Sequence, residues 1–242
     1  VKNVRVLLFD VFGTLVDWRG SIGPQIESFF RDRGATCDGY AFVDAWRAEY
    51  VPSMDAVRSG ARPWANLDTL HGESFDRLVR RFELPNVSPE DRHWAVRRWH
   101  ELEPWPDVPP ALERLHRTHV LATLSNGSVE LLVDLARYGK LRFDTILSAE
   151  LFGHYKPDPE TYLGATSLLG CAPDEAMLVA AHPSDLQAAA ANGLRTAFVR
   201  RPREYGLPKN EDPALPTGFE VAVRDLTELA RVLSRGSSGC AT

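Results

Sequence analysis

Cysteine is scarce in this sequence, with Cys37, Cys171 and Cys240 the three among 242 residues. Thiols this few and this scattered exclude a disulfide framework and offer no zinc-site spacing. Buried or incidental thiols in a reducing compartment are expected. No apolar run approaches the ~20 residues that a membrane-crossing helix needs. An excess of positive charge is missing too. The 28 basic residues face 33 acidic ones, a net charge of -5, which gives no overall pull toward nucleic acid or an anionic membrane. No charged-then-apolar leader opens the sequence as given, so a cytoplasmic location is expected. What remains is an ordinary globular composition, 44% hydrophobic and 25% charged, long enough for one large domain or a core with an insertion.

The stretch from Val4 to Asp17 organises the rest. A β-branched and aliphatic run reaches one carboxylate, Asp10, and breaks at Gly13. That pattern predicts a central parallel strand over 4–10, buried on both faces, with Asp10 at its C-terminal end. Further short strands are expected over 119–124, 144–149, 175–181, 196–199 and 219–223, with helices between them. Ser128 is placed to cap a helix, and Gly193 to end one. From Trp18 to His100 only helical spacings occur, as in Ile22, Ile26, Phe29 and Phe30, or Phe42, Trp46 and Tyr50. The expectation is an α/β fold: a doubly wound, Rossmann-like parallel sheet built from residues 1–17 and 101–242, with a helical cap, residues 18–100, inserted after the first strand. The tail over 236–239 is expected to be flexible.

In such sheets ligands bind at the C-terminal ends of the strands. Asp10, Ser125, Lys156 and Asp185 each stand just after an expected strand and so share one rim. A lone aspartate there would be read as a turn cap. A buried carboxylate beside a lysine stays ionised, because the opposite charge offsets desolvation, and an ionised, poorly hydrated carboxylate is a usable nucleophile.

With these residues in place, the sequence resembles the haloacid dehalogenase superfamily over nearly its whole length. The matching motifs are Asp10-Val-Phe-Gly-Thr14, Leu124-Ser125-Asn126-Gly127, Lys156-Pro157-Asp158 and the Asp185 region. Most members are magnesium-dependent phosphatases with a second aspartate two residues after the first, acting as general acid. Here Phe12 stands at that position, and His182-Pro183-Ser184-Asp185 brings one carboxylate where adjacent acids are usual. No metal and no cofactor are expected. The closer resemblance is to the L-2-haloacid dehalogenase branch, whose halide leaving group needs no proton.

The resemblance implies that Asp10 attacks the halogen-bearing carbon and forms an ester, which water hydrolyses to an inverted 2-hydroxy acid. Lys156 would keep Asp10 ionised and Thr14 would orient it. Trp46-Arg47 matches a family pair whose arginine receives the halide. Ser125 and the backbone of Val11 and Phe12 would bind the substrate carboxylate, with Asn126 beside the halide and Tyr162 framing the lysine. Asp185 would position the water. His182 is open between general base for that water and structural partner of Asp185. Tyr50, Trp46 and His154 could narrow the halide pocket and donate to fluoride. Arg200 and Arg201 are expected to face solvent.

The implied partners are a small 2-haloacid (chloroacetate, L-2-chloropropionate and fluoroacetate are the natural candidates) and a halide ion. Nucleic acid and membrane are not expected, and the family suggests a homodimer. The alternatives are a magnesium-dependent phosphatase on the same fold and a non-catalytic binding protein. Retention of both Asp10 and Lys156 speaks against the second.

Overall fold

The computed structural model describes residues 3–207 and 214–237. Five strands, β1 (Val6–Phe9), β2 (Val120–Thr123), β3 (Ala176–Ala180), β4 (Arg195–Val199) and β5 (Val221–Val223), form one parallel sheet in the order β2-β1-β3-β4-β5. Alternate residues of β1 enter two separate cores. Leu7 and Phe9 join one face, and Val6 and Leu8 the other. A strand buried on both faces has no polar side to offer, which is why its sequence is continuously apolar. Helices α6 (Val108–Leu115) and α10 (Leu226–Ser237) pack together on the first face. Helices α8 (Pro159–Leu168) and α9 (Pro183–Ala191) cover the second.

The expected strand over 144–149 does not form. Thr145 and Ser148 touch the β2 side only as isolated bridges to Ala122 and Ser125. Side chains have taken over the ladder there. Asp144 Oδ2 accepts from the Leu121 amide at 2.8 Å, and Thr123 Oγ1 bonds both the amide and the carbonyl of Leu147. The other strands fall within the expected segments, except that β4 begins one residue earlier at Arg195, and Gly193 follows α9 at φ 83°, the left-handed position that favours glycine. Ser128 caps α7 (Val129–Tyr138) through the Leu131 amide at 3.2 Å, as its sequence position predicted. Helix α10 runs through Ser237, so residues 236 and 237 of the expected flexible tail are helical. Residues 238 and 239, and Cys240, lie outside the described residues. Cys37 and Cys171 are free.

Between β1 and α6 the chain forms five helices: α1 (Trp18–Arg31), α2 (Gly39–Ala48), α3 (Tyr50–Arg58), α4 (Leu67–Arg81) and α5 (Pro89–Arg97). Local chemistry sets their starts. Asp17, Asp38 and Asn66 accept from backbone amides of the first turns of α1, α2 and α4, and Ser88 with Asp91 forms a capping box on α5. The chain leaves for these helices and returns at one place. The Asp17 amide donates to Glu103 O and the Trp105 amide to Leu15 O, both at 2.9 Å. Trp99 joins the helices to the sheet. Its ring meets Phe12 edge-on at 5.9 Å and stacks with Trp18 at 6.4 Å. No described helix is long and apolar enough to cross a membrane.

Candidate active site

In a sheet of order 2-1-3-4-5 the chain reverses direction of winding beside the first strand, and a crevice opens past the ends of β1 and β3. Asp10 follows β1 directly and its amide still continues the ladder, donating to Val179 O at 3.0 Å. Gly13, at φ 78°, then turns the chain so that Thr14 faces back. Across the crevice β3 delivers His182, and the first turn of α9 delivers Asp185. Lys156 arrives on the segment before α8. Its amide donates to Asn126 Oδ1 at 2.8 Å, which ties the second and third motifs together.

The result is a buried chain of charges. Lys156 Nζ donates to Asp10 Oδ1 at 3.0 Å and to Asp185 Oδ2 at 2.5 Å, and Tyr162 donates to Asp185 Oδ1 at 2.6 Å. The second oxygen of Asp10 accepts from Thr14 Oγ1 at 2.7 Å and from His182 Nδ1 at 3.1 Å. Thr14 is itself held by the Ala181 amide at 2.9 Å. Burial alone would push the Asp10 carboxyl up. Lys156, His182 and Thr14 outweigh it and hold the group well below the usual carboxylate range. Burial likewise works against the Lys156 ammonium, but Asp10 and Asp185 hold it charged, above its ordinary value. Asp185 goes the other way. Burial raises it more than Lys156 lowers it, and the Asp10 charge adds to the rise.

His182 is not a partner of Asp185. Its Nδ1 faces Asp10 and its Nε2 faces both oxygens of Glu204, at 3.0 and 3.1 Å. An ionised carboxylate only accepts, so both ring nitrogens must carry protons. Burial disfavours that cation, but the two carboxylates push its pKa up to about 10. An imidazolium is no general base, which corrects the sequence reading in both its forms. Glu204, buried after β4 and also bonded by Trp18 Nε1 at 3.2 Å, was not anticipated. The one signal for it was Gly13. A Cβ there would lie 2.1 Å from Glu204 Oε1, so the glycine makes room for the carboxylate as well as for the turn.

A cavity of about 460 Å³ opens over Asp10, lined by Arg47, Tyr50, Asn126, Lys156, Tyr162, His182 and Asp185 among others. Arg47 reaches it from α2 with its guanidinium 4.0 Å from the centre of the Tyr50 ring, and its Nη1 is buried with no hydrogen-bond partner among the described residues. Ser125 is buried, is not part of the lining that its neighbour Asn126 joins, and accepts from the Gly127 amide at 3.2 Å. Val11 and Phe12 are buried and not part of the cavity's lining, and among the described residues their amides enter no backbone hydrogen bond. Two expected pocket residues are elsewhere. Trp46 lies in the aromatic core of the inserted helices against Phe42, Phe75 and Trp99, its Nε1 spent on His71 O at 3.0 Å. The resemblance to the family's Trp-Arg pair had put it in the pocket with Arg47, but neighbouring helical residues point to different faces and Trp46 turns into the core. His154 has a half-exposed side chain, is absent from the cavity wall and is paired with Asp158 at 3.3 Å. Arg201 is no solvent residue either. It binds Thr14 O at 2.8 Å and grips Asp107 with two nitrogens, while Arg200 is half-buried.

The residues present do not suit a magnesium ion. Lys156 occupies the space between the two carboxylates, Thr14 and His182 take the remaining Asp10 oxygen, and Phe12 puts a ring where a further oxygen ligand would be wanted.

The sequence profile of haloacid dehalogenase-like hydrolases matches residues 4–193. The chain belongs to that family. Within it, the solved structure of an L-2-haloacid dehalogenase is 45% identical, covering 96% of this chain and 99% of that one at a TM-score of 0.90. The structure of a defluorinating L-2-haloacid dehalogenase is 42% identical, covering 96% and 95% at a TM-score of 0.91. (S)-2-Haloacid dehalogenase 4A of Burkholderia cepacia is 29% identical over 215 residues, 85% of this chain and 88% of the relative. The Rossmann-like fold of this haloacid dehalogenase-like hydrolase is thus that of its dehalogenase relatives.

Proposed function

We propose that this hydrolase is an (S)-2-haloacid dehalogenase that opens the carbon–halogen bond of short 2-haloalkanoic acids through an ester on Asp10. The observation that carries the reading is a buried Arg47 Nη1, unpartnered among the described residues, on the wall of the cavity over Asp10, in a chain that has Phe12 where a general acid would stand. An alcohol leaving group needs a proton, which Phe12 cannot give. A halide needs only a cation. The 45% and 42% identical dehalogenase structures support the same substrate class, and the second supports fluoroacetate within it.

Asp10 Oδ1 has one donor, Lys156, against two on Oδ2, so Oδ1 keeps a lone pair for in-line attack. Lys156 keeps it ionised. Arg47 takes the departing halide, with Tyr50 and Asn126 on the same wall. The free amides of Val11 and Phe12, with Ser125 behind them, bind the substrate carboxylate. Asp185, held by Lys156 and Tyr162, has a raised pKa suited to taking a proton from water in the second step. In this reading residues 1–17 and 101–242 are the core, 18–100 the cap that brings Arg47, and the protein is a cytoplasmic homodimer. Size-exclusion chromatography with light scattering reads the last point.

Halide release from L- and D-2-chloropropionate, assayed with EDTA, tests the function. Release from the L form alone with D-lactate as product is expected. Silence on both forms, with phosphate-ester hydrolysis appearing on addition of Mg²⁺, would replace the reading by the phosphatase one.

A further inference from the structure

Neither the site of attack nor halide departure uses His182 and Glu204, yet the pair fills the other side of Asp10. His182 Nδ1 and Thr14 Oγ1 both point at Asp10 Oδ2, at 3.1 and 2.7 Å. If Oδ1 carries the substrate, Oδ2 is the carbonyl oxygen of the ester. It is also the atom on which negative charge develops when water adds to Cγ. Donors at 2.7–3.1 Å from such an atom, fixed before the reaction, are what stabilises a tetrahedral intermediate. The hydroxyl is fixed by the Ala181 amide at 2.9 Å. The imidazole is fixed by two bonds from Nε2 to Glu204, which Trp18 Nε1 secures in turn.

We propose that His182 and Thr14 form the oxyanion hole for hydrolysis of the Asp10 ester, and that Glu204 is the positioning residue that keeps His182 a doubly protonated donor. The assignment rests on the aspartyl-ester reading above. The steps balance as follows. Oδ1 forms a bond to C2 of the substrate as the carbon–halogen bond breaks and the halide leaves with its electron pair. Water then adds to Cγ, giving one proton to Asp185, and the carbonyl pair moves onto Oδ2 against His182 and Thr14. The pair returns, the Cγ–O bond to the substrate breaks, and the alkoxide takes the proton from Asp185. Asp10 keeps the water oxygen and loses its remaining proton to solvent. Loss of the Asp10 charge in the ester would tend to release the His182 proton. Glu204, shielded from water, opposes that at the moment the donor is needed.

Rapid-quench kinetics with intact-protein mass spectrometry tests this on the full chain, using L-2-chloropropionate with wild type and the His182→Asn, His182→Ala and Glu204→Gln variants. All three variants are expected to accumulate the ester, with its hydrolysis slowed ~10²-fold or more in His182→Ala and first-turnover halide release slowed far less. His182→Asn, which donates without being a base, is expected to hydrolyse the ester faster than His182→Ala. Equal decay in those two variants would overturn the oxyanion role, since loss of a base leaves that signature. Equal slowing of ester formation and breakdown in Glu204→Gln would overturn its part, since a purely structural residue does that. Wild type run for many turnovers in isotopically labelled water separates the two levels. Label in Asp10 sustains the ester whatever the variants show, and its absence refutes ester and inference together.

Discussion

His71, buried among the cap helices, and His182, half-buried at the rim of the sheet, differ in charge state. His71, inside the cap helices, is pushed down to about 3, and His182, at the rim of the sheet, is pushed up to about 10. Desolvation is the leading cause at both and acts in the same direction. What differs is company. His71 stacks on Trp99 at 4.2 Å between ring centres, and neither of its nitrogens has a hydrogen-bond partner among the described residues. His182 has a carboxylate on each nitrogen. Burial therefore decides only how strongly a neighbour is felt, and the neighbour decides the sign. His71 sits among aromatic rings, and His182 between two carboxylates.

Removing a neighbour breaks that contrast. Asp10→Asn should lower halide release by at least ~10⁴-fold, since it deletes the nucleophile, and should bring the His182 titration down from about 10. Halide assay and histidine NMR read the two effects. Glu204→Gln should also lower the His182 titration while leaving Asp10 in place. An unchanged His182 titration in both variants would show that the carboxylates are not what holds the charge.

The pH dependence of stability sharpens the contrast. His182 is raised in the folded state, so its contribution is full below ~6.5 and is lost as pH climbs toward about 10. His71 is lowered, so the unfolded chain gains a proton first and stability falls as pH drops from ~6.5 toward about 3. His71→Phe should remove the acid-side slope, at most ~1.4 kcal/mol per pH unit, and alter neutral stability by about 1 kcal/mol or less. Urea unfolding at pH 5 and pH 7 measures it. An equal shift at both pH values would count against the neutral, buried state.

The sequence was most readable where function and fold use the same signal. Asp10 follows β1 and Asp185 opens α9, so placing those elements placed them, whereas Lys156 follows no strand and was reached through its Lys-Pro-Asp motif. Thr14 and Tyr162 came with the motifs. Glu204 had no such handle. It lies after β4 in Arg201-Pro-Arg-Glu204, where charged residues read as solvent-facing, and only the three-dimensional closeness of Gly13 betrays it. Trp46 shows the reverse error, because an aromatic at helical spacing fits a pocket wall and a core equally well. The 144–149 segment failed because hydrophobic alternation cannot reveal that Asp144 and Thr123 side chains will satisfy the backbone in place of a ladder.

Phe12 carries a consequence of another kind. Its ring meets Trp99 edge-on at 5.9 Å and Tyr50 at 6.3 Å, so the position that lacks a proton donor is also a join between sheet and cap. A carboxylate there would replace an aromatic contact and lose its hydration. Proton assistance from this position would therefore require repacking Trp99 and Tyr50 as well as changing one residue, so packing and leaving-group chemistry are tied to the same side chain.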